Sequence, residues 1–288
     1  MKPLISVVIP VYNGEKTLEA CLNSVIDQDY DDFEIIIIDN GSIDRTYEII
    51  KSYINSKIKY FHEPLKGRGI ARNLGIRKSS GKYIAMIDSD CVANKNWLTK
   101  ISKPIIEQNE KIVMGGEENI YYDKISRQIQ KANGDLIKRS ISGNYIKHID
   151  TKNIIFKRGV FINYRFDPEI KNCEDLDLYL QIENKYRVFY LPHVKVKHHH
   201  KLKKFDWFNT QADRGFETAK IYKKYKQNKH LMFISYSLTN WGKFPFWMLL
   251  ILFRKPREFK FIFVTETGWR LGIILYYFDT IGLYRYEK

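Results

Sequence analysis

The chain is predicted to be an α/β protein with a doubly wound, mostly parallel sheet flanked by helices and followed by amphipathic C-terminal helices. Three observations predict it. Strand and helix signals alternate through the first 115 residues of the 288, the pattern of βαβ units. The strand run Phe33–Ile38 is apolar but for Glu34, as in a strand covered on both faces. Polar, turn-forming residues gather where the strand runs end, which is where open α/β sheets hold ligands.

Leu4–Ile9 is a β-branched run ending at Pro10. Glu15–Ile26 reads as a helix with Leu18, Cys21, Leu22, Val25 and Ile26 on one face. Phe33–Ile38 is the next strand, and Asp39-Asn40-Gly41-Ser42 after it is turn chemistry offering an N-cap. A helix at Ile43–Ile54, a strand at Ile58–Phe61, a helix at Ile70–Lys78 and a strand at Tyr83–Ile87 follow. Asn96–Glu107 is helical, and Lys111–Met114 is a strand closed by Gly115-Gly116. Residues 117–150 are polar and without clear periodicity, which reads as an insertion or a mobile loop. Thr151–Phe156 returns as a strand, Asn172–Asn184 as a helix, and Arg187–Tyr190 and Val194–His198 as two short strands.

From Phe205 the composition changes. Phe205, Phe208, Ala212, Phe216, Ala219 and Tyr222 recur at helical spacing with lysines between and after them. Pro245–Phe253, Phe261–Val264 and Leu271–Phe278 are apolar stretches, all shorter than the ~20 residues of a spanning helix. Short, basic, aromatic-rich helices suit a membrane interface better than a span. Two domains are therefore expected, 1–204 and 205–288, the first divided into halves of about 1–115 and about 116–204.

The formal net charge of +15 is unevenly placed. Residues 1–90 hold 12 Lys/Arg against 13 Asp/Glu, residues 91–194 hold 17 against 13, and residues 195–288 hold 19 against 7. The basic excess lies in the last third; such a patch can serve nucleic acid, an anionic membrane or a phosphate-bearing substrate, and with the short aromatic helices of that third an anionic membrane surface is the expected partner and nucleic acid is not. Cys21, Cys91 and Cys173 have no partner at metal-ligand or redox spacing, so reduced thiols are expected. The segment Met1–Ser6 lacks the apolar core of a signal peptide. The expected location is cytoplasmic, peripheral on the inner face of the cell membrane.

Five groups of residues carry chemistry. In Tyr83–Asp90 an apolar strand delivers Asp88 and Asp90 onto a turn, and hard divalent cations such as Mg²⁺ take one or two carboxylates plus substrate phosphates. An isolated Asp-Ser-Asp is as well explained by a solvated helix-capping turn; the strand before it is what gives it weight. Val7–Asn13 runs a strand into a loop whose Tyr12 can stack on a nucleobase, and Asp39 can accept from a base or ribose. Gly67–Gly75 offers close backbone approach with Arg68 and Arg72 for diphosphate oxygens. Asn172–Asp177 is an acidic helix start, favoured by the dipole, in which Asp175 suits a general base. His198, His199 and His200 follow the Val194–Lys197 run; on an extended segment 198 and 200 face one way and 199 the other, and one of them can ligate a metal, a surface histidine run being the alternative.

In this order VVIPVYN at 7–13, IIIIDNGSIDRT at 35–46, ARNLGI at 71–76, IAMIDSD at 84–90 and CEDLDLYL at 173–180 resemble family 2 glycosyltransferases, inverting enzymes of the GT-A fold. The resemblance spans roughly residues 4–200. It implies that Pro10, Tyr12, Asn13, Asp39 and Ser89 hold the nucleotide-sugar, usually a uridine one, with Arg68 and Arg72 near the diphosphate. It implies that Asp88 meets the ribose or the metal, that Asp90 ligates Mn²⁺ or Mg²⁺, and that His198, or else His200, completes the metal site. Asp175 is the implied base, with Glu174 on the acceptor side. The Gln-x-x-Arg-Trp signature of processive synthases is missing, so transfer of one sugar to a glycan or lipid-linked hydroxyl acceptor is expected. A nucleotidyltransferase and a non-catalytic membrane-bound binding protein are the alternatives; the first wants a Gly-rich loop after the first strand, where this chain has one glycine, Gly14.

Overall fold

The computed structural model describes residues 4–120, 124–199, 204–225 and 256–280. By internal contacts the chain forms two compact units, one of residues 1–122 and 130–200, the other of residues 123–129 and 201–288.

The first unit is built on one ten-stranded sheet. Its strands are β1 (Ile5–Val11), β2 (Phe33–Asp39), β3 (Ile58–His62), β4 (Tyr83–Met86), β5 (Cys91–Ala93), β6 (Ile112–Ile120), β7 (Ile141–Ser142), β8 (Tyr145–Ile146), β9 (Ile154–Lys157) and β10 (Val188–His199). The order is β3-β2-β1-β4-β9-β6-β10-β8-β7, with β5 on β10. β3, β2, β1 and β4 run parallel; β9 is antiparallel to both β4 and β6, and β6 and β10 are again parallel. All seven residues of β2 are buried, so Phe33–Ile38 is apolar on both faces apart from Glu34, a buried carboxylate that accepts from the Ser6 and Ser80 hydroxyls and pairs with Lys59. Helices α1 (Leu18–Ile26), α2 (Thr46–Lys51), α3 (Arg68–Lys78) and α4 (Trp97–Glu107) connect the strands. α1 starts at Leu18 rather than Glu15 and buries Leu18, Cys21, Leu22 and Val25 of the expected stripe, while Ile26 at its end is exposed. α3 comes so close to β1 that a Cβ on Gly75 would overlap the Val8 side chain, so the glycine sets the depth of that helix.

Several elements differ from expectation. Ile43–Ile54 shortens to α2, because Ser42, Asp44 and Arg45 are taken up by turn hydrogen bonds rather than by helix. β6 continues through Gly115-Gly116 to Ile120. The supposed loop at 117–150 contains the end of β6, helix α5 (Lys124–Ser140) and a hairpin of β7 and β8. That hairpin turns on Gly143 in the left-handed region (φ 61°) and Asn144, a Gly-Asn signal present in the sequence. The strand expected at Thr151–Phe156 starts later, as β9, because Asp150–Asn153 is a turn. The helix expected from Asn172 begins at Glu174 as α6 (Glu174–Ile182), after Cys173 in the left-handed region (φ 64°). The two short strands at 187–198 are one strand, β10, irregular between Leu191 and Lys195.

In the second unit, α7 (Lys204–Lys224) and α8 (Pro256–Thr280) pack together. Phe261–Val264 and Leu271–Phe278 lie on the single helix α8 rather than on separate pieces. Small residues let the backbones meet: a Cβ on Gly272 would overlap the Ala212 carbonyl, and one on Gly215 the Trp269 carbonyl. Phe216, Ala219, Ile273 and Tyr276 fill this contact, while Phe263, Leu271, Tyr277 and Phe278 of α8 stay exposed. Among the described residues no helix is long and apolar enough to cross a membrane. The stretch Pro245–Phe253 lies outside the described residues.

Candidate functional site

The carboxyl ends of β1, β2 and β4 deliver the first half of the site. In register, Val11 lies beside Asp39, and Pro10 precedes it where β1 runs out past β4. The loops after β1 and β2 are joined by side chains. Asn13, in the left-handed region (φ 50°), donates its N–H to Ser42 Oγ at 2.9 Å, and Ile43 N–H donates to Asn13 Oδ1 at 2.9 Å. Gly14 N–H donates to Thr46 Oγ1 at 2.8 Å. Asp39 is buried, with Oδ1 accepting from Ser42 N–H at 2.9 Å and Oδ2 from the Tyr60 hydroxyl at 3.4 Å. Burial and the Asp39 carboxylate push that phenol up to about 12. Tyr12 is 48% exposed, its ring 5.3 Å from the Lys66 ammonium. An exposed ring beside a cation fits a base and its phosphates. Asn40, not singled out in the sequence, ties this half together: its amide donates to the Glu63 and Leu65 carbonyls at 3.2 and 2.6 Å and accepts from Gly67 N–H at 2.8 Å.

The Asp88-Ser89-Asp90 turn closes with Cys91 N–H donating to the Asp88 carbonyl at 3.0 Å. Its two carboxylates go different ways. Asp88 Oδ1 accepts from Arg72 Nη2 at 2.8 Å, and Arg72 Nη1 reaches Glu174 Oε1 at 2.6 Å. Arg72 is buried (2% exposed) against the Phe166 ring, so this guanidinium bridges the turn to the start of α6. Arg68, one turn earlier on α3, is exposed. Ser89 is partly buried and faces Gly14, where an added Cβ would stand 3.8 Å from the Ser89 Oγ.

Asp90 instead meets the histidine strand. β5, only three residues long, pairs antiparallel with β10 and puts His198 opposite Cys91. His199 N–H donates to the Asp90 carbonyl at 3.0 Å, which fixes the approach. His198 Nε2 then lies 3.3 Å from Asp90 Oδ2. Crowding alone would raise Asp90, whose side chain is 41% exposed, but the His198 hydrogen bond and charge hold it below the usual carboxylate range. Burial alone would lower His198, and the Asp90 carboxylate raises it instead. Asp90, Cys91 and His198 form a group that could hold a metal ion, with donor atoms within 4.8 Å of one another. Two ligands of a small cation at ~2.1 Å, set at right angles, stand about 3 Å apart, so Asp90 and His198 fit one. Cys91 fits less well: burial pushes its thiol well above its ordinary value, and hard cations prefer oxygen. His200 lies outside the described residues.

Across the site, Asp175 in the first turn of α6 has Thr151 as partner. Thr151 N–H donates to Oδ2 at 3.3 Å and its hydroxyl to Oδ1 at 3.0 Å. Burial and the neighbouring Glu174 carboxylate push Asp175 up to about 7, against the Arg72 charge. A carboxyl poised there suits proton transfer at neutral pH. Beside it, Lys152 bridges Asp150 and Glu117, with Nζ 2.8 Å from Glu117 Oε2. Glu117, Thr151 and Lys152 were invisible in the sequence; they lie in the stretch read as loop or strand start and meet the site only through β6, β9 and β10.

The family model of glycosyl transferase family 2 matches residues 6–171. Glycosyltransferase GlyG of Streptococcus pneumoniae is 34% identical over 127 residues, 43% of this chain and 42% of that protein. The chain thus spans less than half the length of that relative. In fold it is similar to the mannosyltransferase PcManGT of Pyrobaculum calidifontis, solved with GDP-Man and Mn²⁺, at TM-score 0.71 and 15% identity over 97% of this chain and 88% of that one. It is also similar to S. aureus TarS 1–349 with UDP-GlcNAc, at TM-score 0.58 and 17% identity over 99% and 93%. These likenesses show the GT-A fold. With a match over more than half its length, the chain belongs to glycosyl transferase family 2.

Proposed function

We propose that the chain transfers a single hexosyl unit from a nucleotide-diphospho-sugar, a UDP-sugar foremost, to a hydroxyl acceptor with inversion. The observation that carries this reading is Asp175: a carboxyl raised to about 7, held at both oxygens by Thr151 and linked through Glu174 and Arg72 to Asp88 on the opposite turn. The uracil or other base stacks on Tyr12, and Asp39, Asn13, Pro10 and Ser89 line the nucleotide side. Asp90 and His198 would hold Mn²⁺ or Mg²⁺, with Asp88 toward the ribose and Arg68 toward the diphosphate. A cation bound there neutralises charge on the leaving diphosphate. Asp175 takes the acceptor's hydroxyl proton, the oxygen bonds to the anomeric carbon, and the bond from that carbon to the phosphate oxygen breaks. Glu174 positions the acceptor. Relatives and fold neighbours that carry glycosyltransferase names, some solved with UDP-GlcNAc or GDP-Man, support the reading. A nucleotidyltransferase reading gains no support from the β1–α1 loop, which joins by hydrogen bonds to Ser42, Ile43 and Thr46 rather than forming a Gly-rich phosphate cradle.

The test is a panel of UDP- and GDP-sugars assayed for Mn²⁺-dependent turnover, with the best donor then given to Asp175→Asn. Turnover is expected to fall about 10³-fold with donor affinity close to the parent's. Turnover near the parent's rejects the base assignment.

The acceptor is proposed to be a lipid-linked glycan or polysaccharide precursor met at the inner membrane surface, with residues 1–204 catalytic and 205–288 the docking domain. Two features support this. Phe263, Leu271, Tyr277 and Phe278 stand exposed on α8, and residues 195–288 carry 19 Lys/Arg against 7 Asp/Glu. Apolar contact plus attraction to anionic lipid is the physics of interfacial binding. Vesicles rich in phosphatidylserine are expected to pellet the protein, and the double variant Leu271→Glu, Phe278→Glu several-fold less. Equal pelleting of the two contradicts docking through this helix.

A further inference from the structure

The turn Asp150-Thr151-Lys152 touches both chemically active corners of the site with consecutive residues. Thr151 is buried and supplies one donor to each oxygen of Asp175, from its N–H at 3.3 Å and its hydroxyl at 3.0 Å. Two donors from one residue fix the carboxylate's rotation, and both favour the charged form. Lys152, its side chain 14% exposed, is held between Asp150 and Glu117, whose Oε2 lies 2.8 Å from Nζ. The same Glu117 oxygen is 4.0 Å from His198 Nδ1, while His198 Nε2 faces Asp90 at 3.3 Å. At 4.0 Å, beyond hydrogen-bond range, the Glu117 carboxylate acts on the imidazole through its charge.

The turn is itself anchored. The next residue, Asn153, is buried, accepts from Trp97 Nε1 at 2.8 Å, and donates to the Gly116 and Val194 carbonyls at 2.7 and 2.8 Å. Its carbonyl accepts from Gly115 N–H at 2.9 Å. A Cβ on Gly115 would overlap the Asn153 amide, so this crossing requires glycine. The turn therefore cannot shift without moving β6 and β10.

We propose that Asp150-Thr151-Lys152 is a positioning brace that sets the base Asp175 and the metal-facing His198 in register with one another, Thr151 acting on the first and Lys152, through Glu117, on the second. The proposal rests on the functional reading above for the roles of Asp175 and His198. Thr151 and Lys152 are positioning residues in it, acting only through their neighbours.

The test uses the full chain and two readouts that need no sugar donor. Carboxyl NMR follows the Asp175 titration, assigned by its loss in Asp175→Asn. The charged groups around it are Glu174 and Arg72 from α6 and α3, Asp150 from the turn, and Asp88 from the β4 end. Thr151→Val removes the hydroxyl and keeps the shape and the backbone donor. Its Asp175 midpoint is expected to rise by about one pH unit, since a donor to the charged form is lost. Thr151→Ser is expected to restore it. Mn²⁺ titration of Lys152→Met is expected to show about tenfold weaker cation binding as Glu117 loses its anchor. An unmoved Asp175 midpoint in Thr151→Val, or Mn²⁺ affinity equal to or tighter than the parent's in Lys152→Met, overturns the brace. Failure of the transfer reading shows separately, as sugar turnover that survives Asp175→Asn.

Discussion

Asp90 and Asp175 face the same site, and their surroundings drive them in opposite directions. Asp90 ends a partly exposed turn beside a histidine and is held ionised. Asp175 lies in the first turn of a helix beside Glu174 and is raised to about 7. The helix dipole and the Arg72 charge both favour the ionised form at that position, and burial with the Glu174 carboxylate raises the carboxyl despite them. Carboxylates separated in this way take separate jobs: one stays charged to meet a cation, the other exchanges a proton near neutrality. Arg72 stands between the two corners, with one nitrogen on the Asp88 turn and one on Glu174.

Removing that link is expected to have the largest effect. Arg72→Met leaves Glu174 buried without its partner, which costs about 3 kcal/mol and lowers Tm by roughly 6–12 °C. Calorimetry showing an unchanged Tm means the bridge does not join the corners. Next is the cation corner alone. Asp90→Ala is expected to weaken Mn²⁺-dependent UDP binding about 100-fold, read by titration with and without Mn²⁺, while the Asp175 corner keeps its titration. Binding that ignores both the metal and the substitution separates Asp90 from the cation.

Much of this contrast was legible in the sequence, and the reason is local. β1, β2 and β4 are mostly apolar runs, interrupted only by Ser6 and Glu34 ahead of the terminal Asp39, and their ends carry Tyr12, Asp39 and the Asp-Ser-Asp turn, so strand prediction placed those residues together. The acidic start of α6 was legible for the same reason: Glu174 and Asp175 are adjacent in the chain, and a helix start holds both near one edge. What stayed hidden is made by pairing across distance. Three-residue β5 is too short to show periodicity, so the register with β10 that sets His198 against Asp90 was unreadable, and that pairing was expected only from the family resemblance. Glu117 and Lys152 are 35 positions apart by their numbering, and meet through β6 and the turn before β9. The resemblance already set Asp90 toward the metal and Asp88 toward the ribose or metal; what the tripeptide itself did not show is that Arg72 takes Asp88.

The most direct measurement is the pH dependence of kcat/KM for the best nucleotide-sugar donor under saturating Mn²⁺. The base must be ionised to work, and its carboxyl is raised in the folded protein, so activity is lost as pH falls through the Asp175 value and is full above it. The account predicts a single acid limb centred near pH 7, with Asp90 ionised throughout. A rate that holds constant down to about pH 5, as an ordinary carboxylate would give, contradicts it.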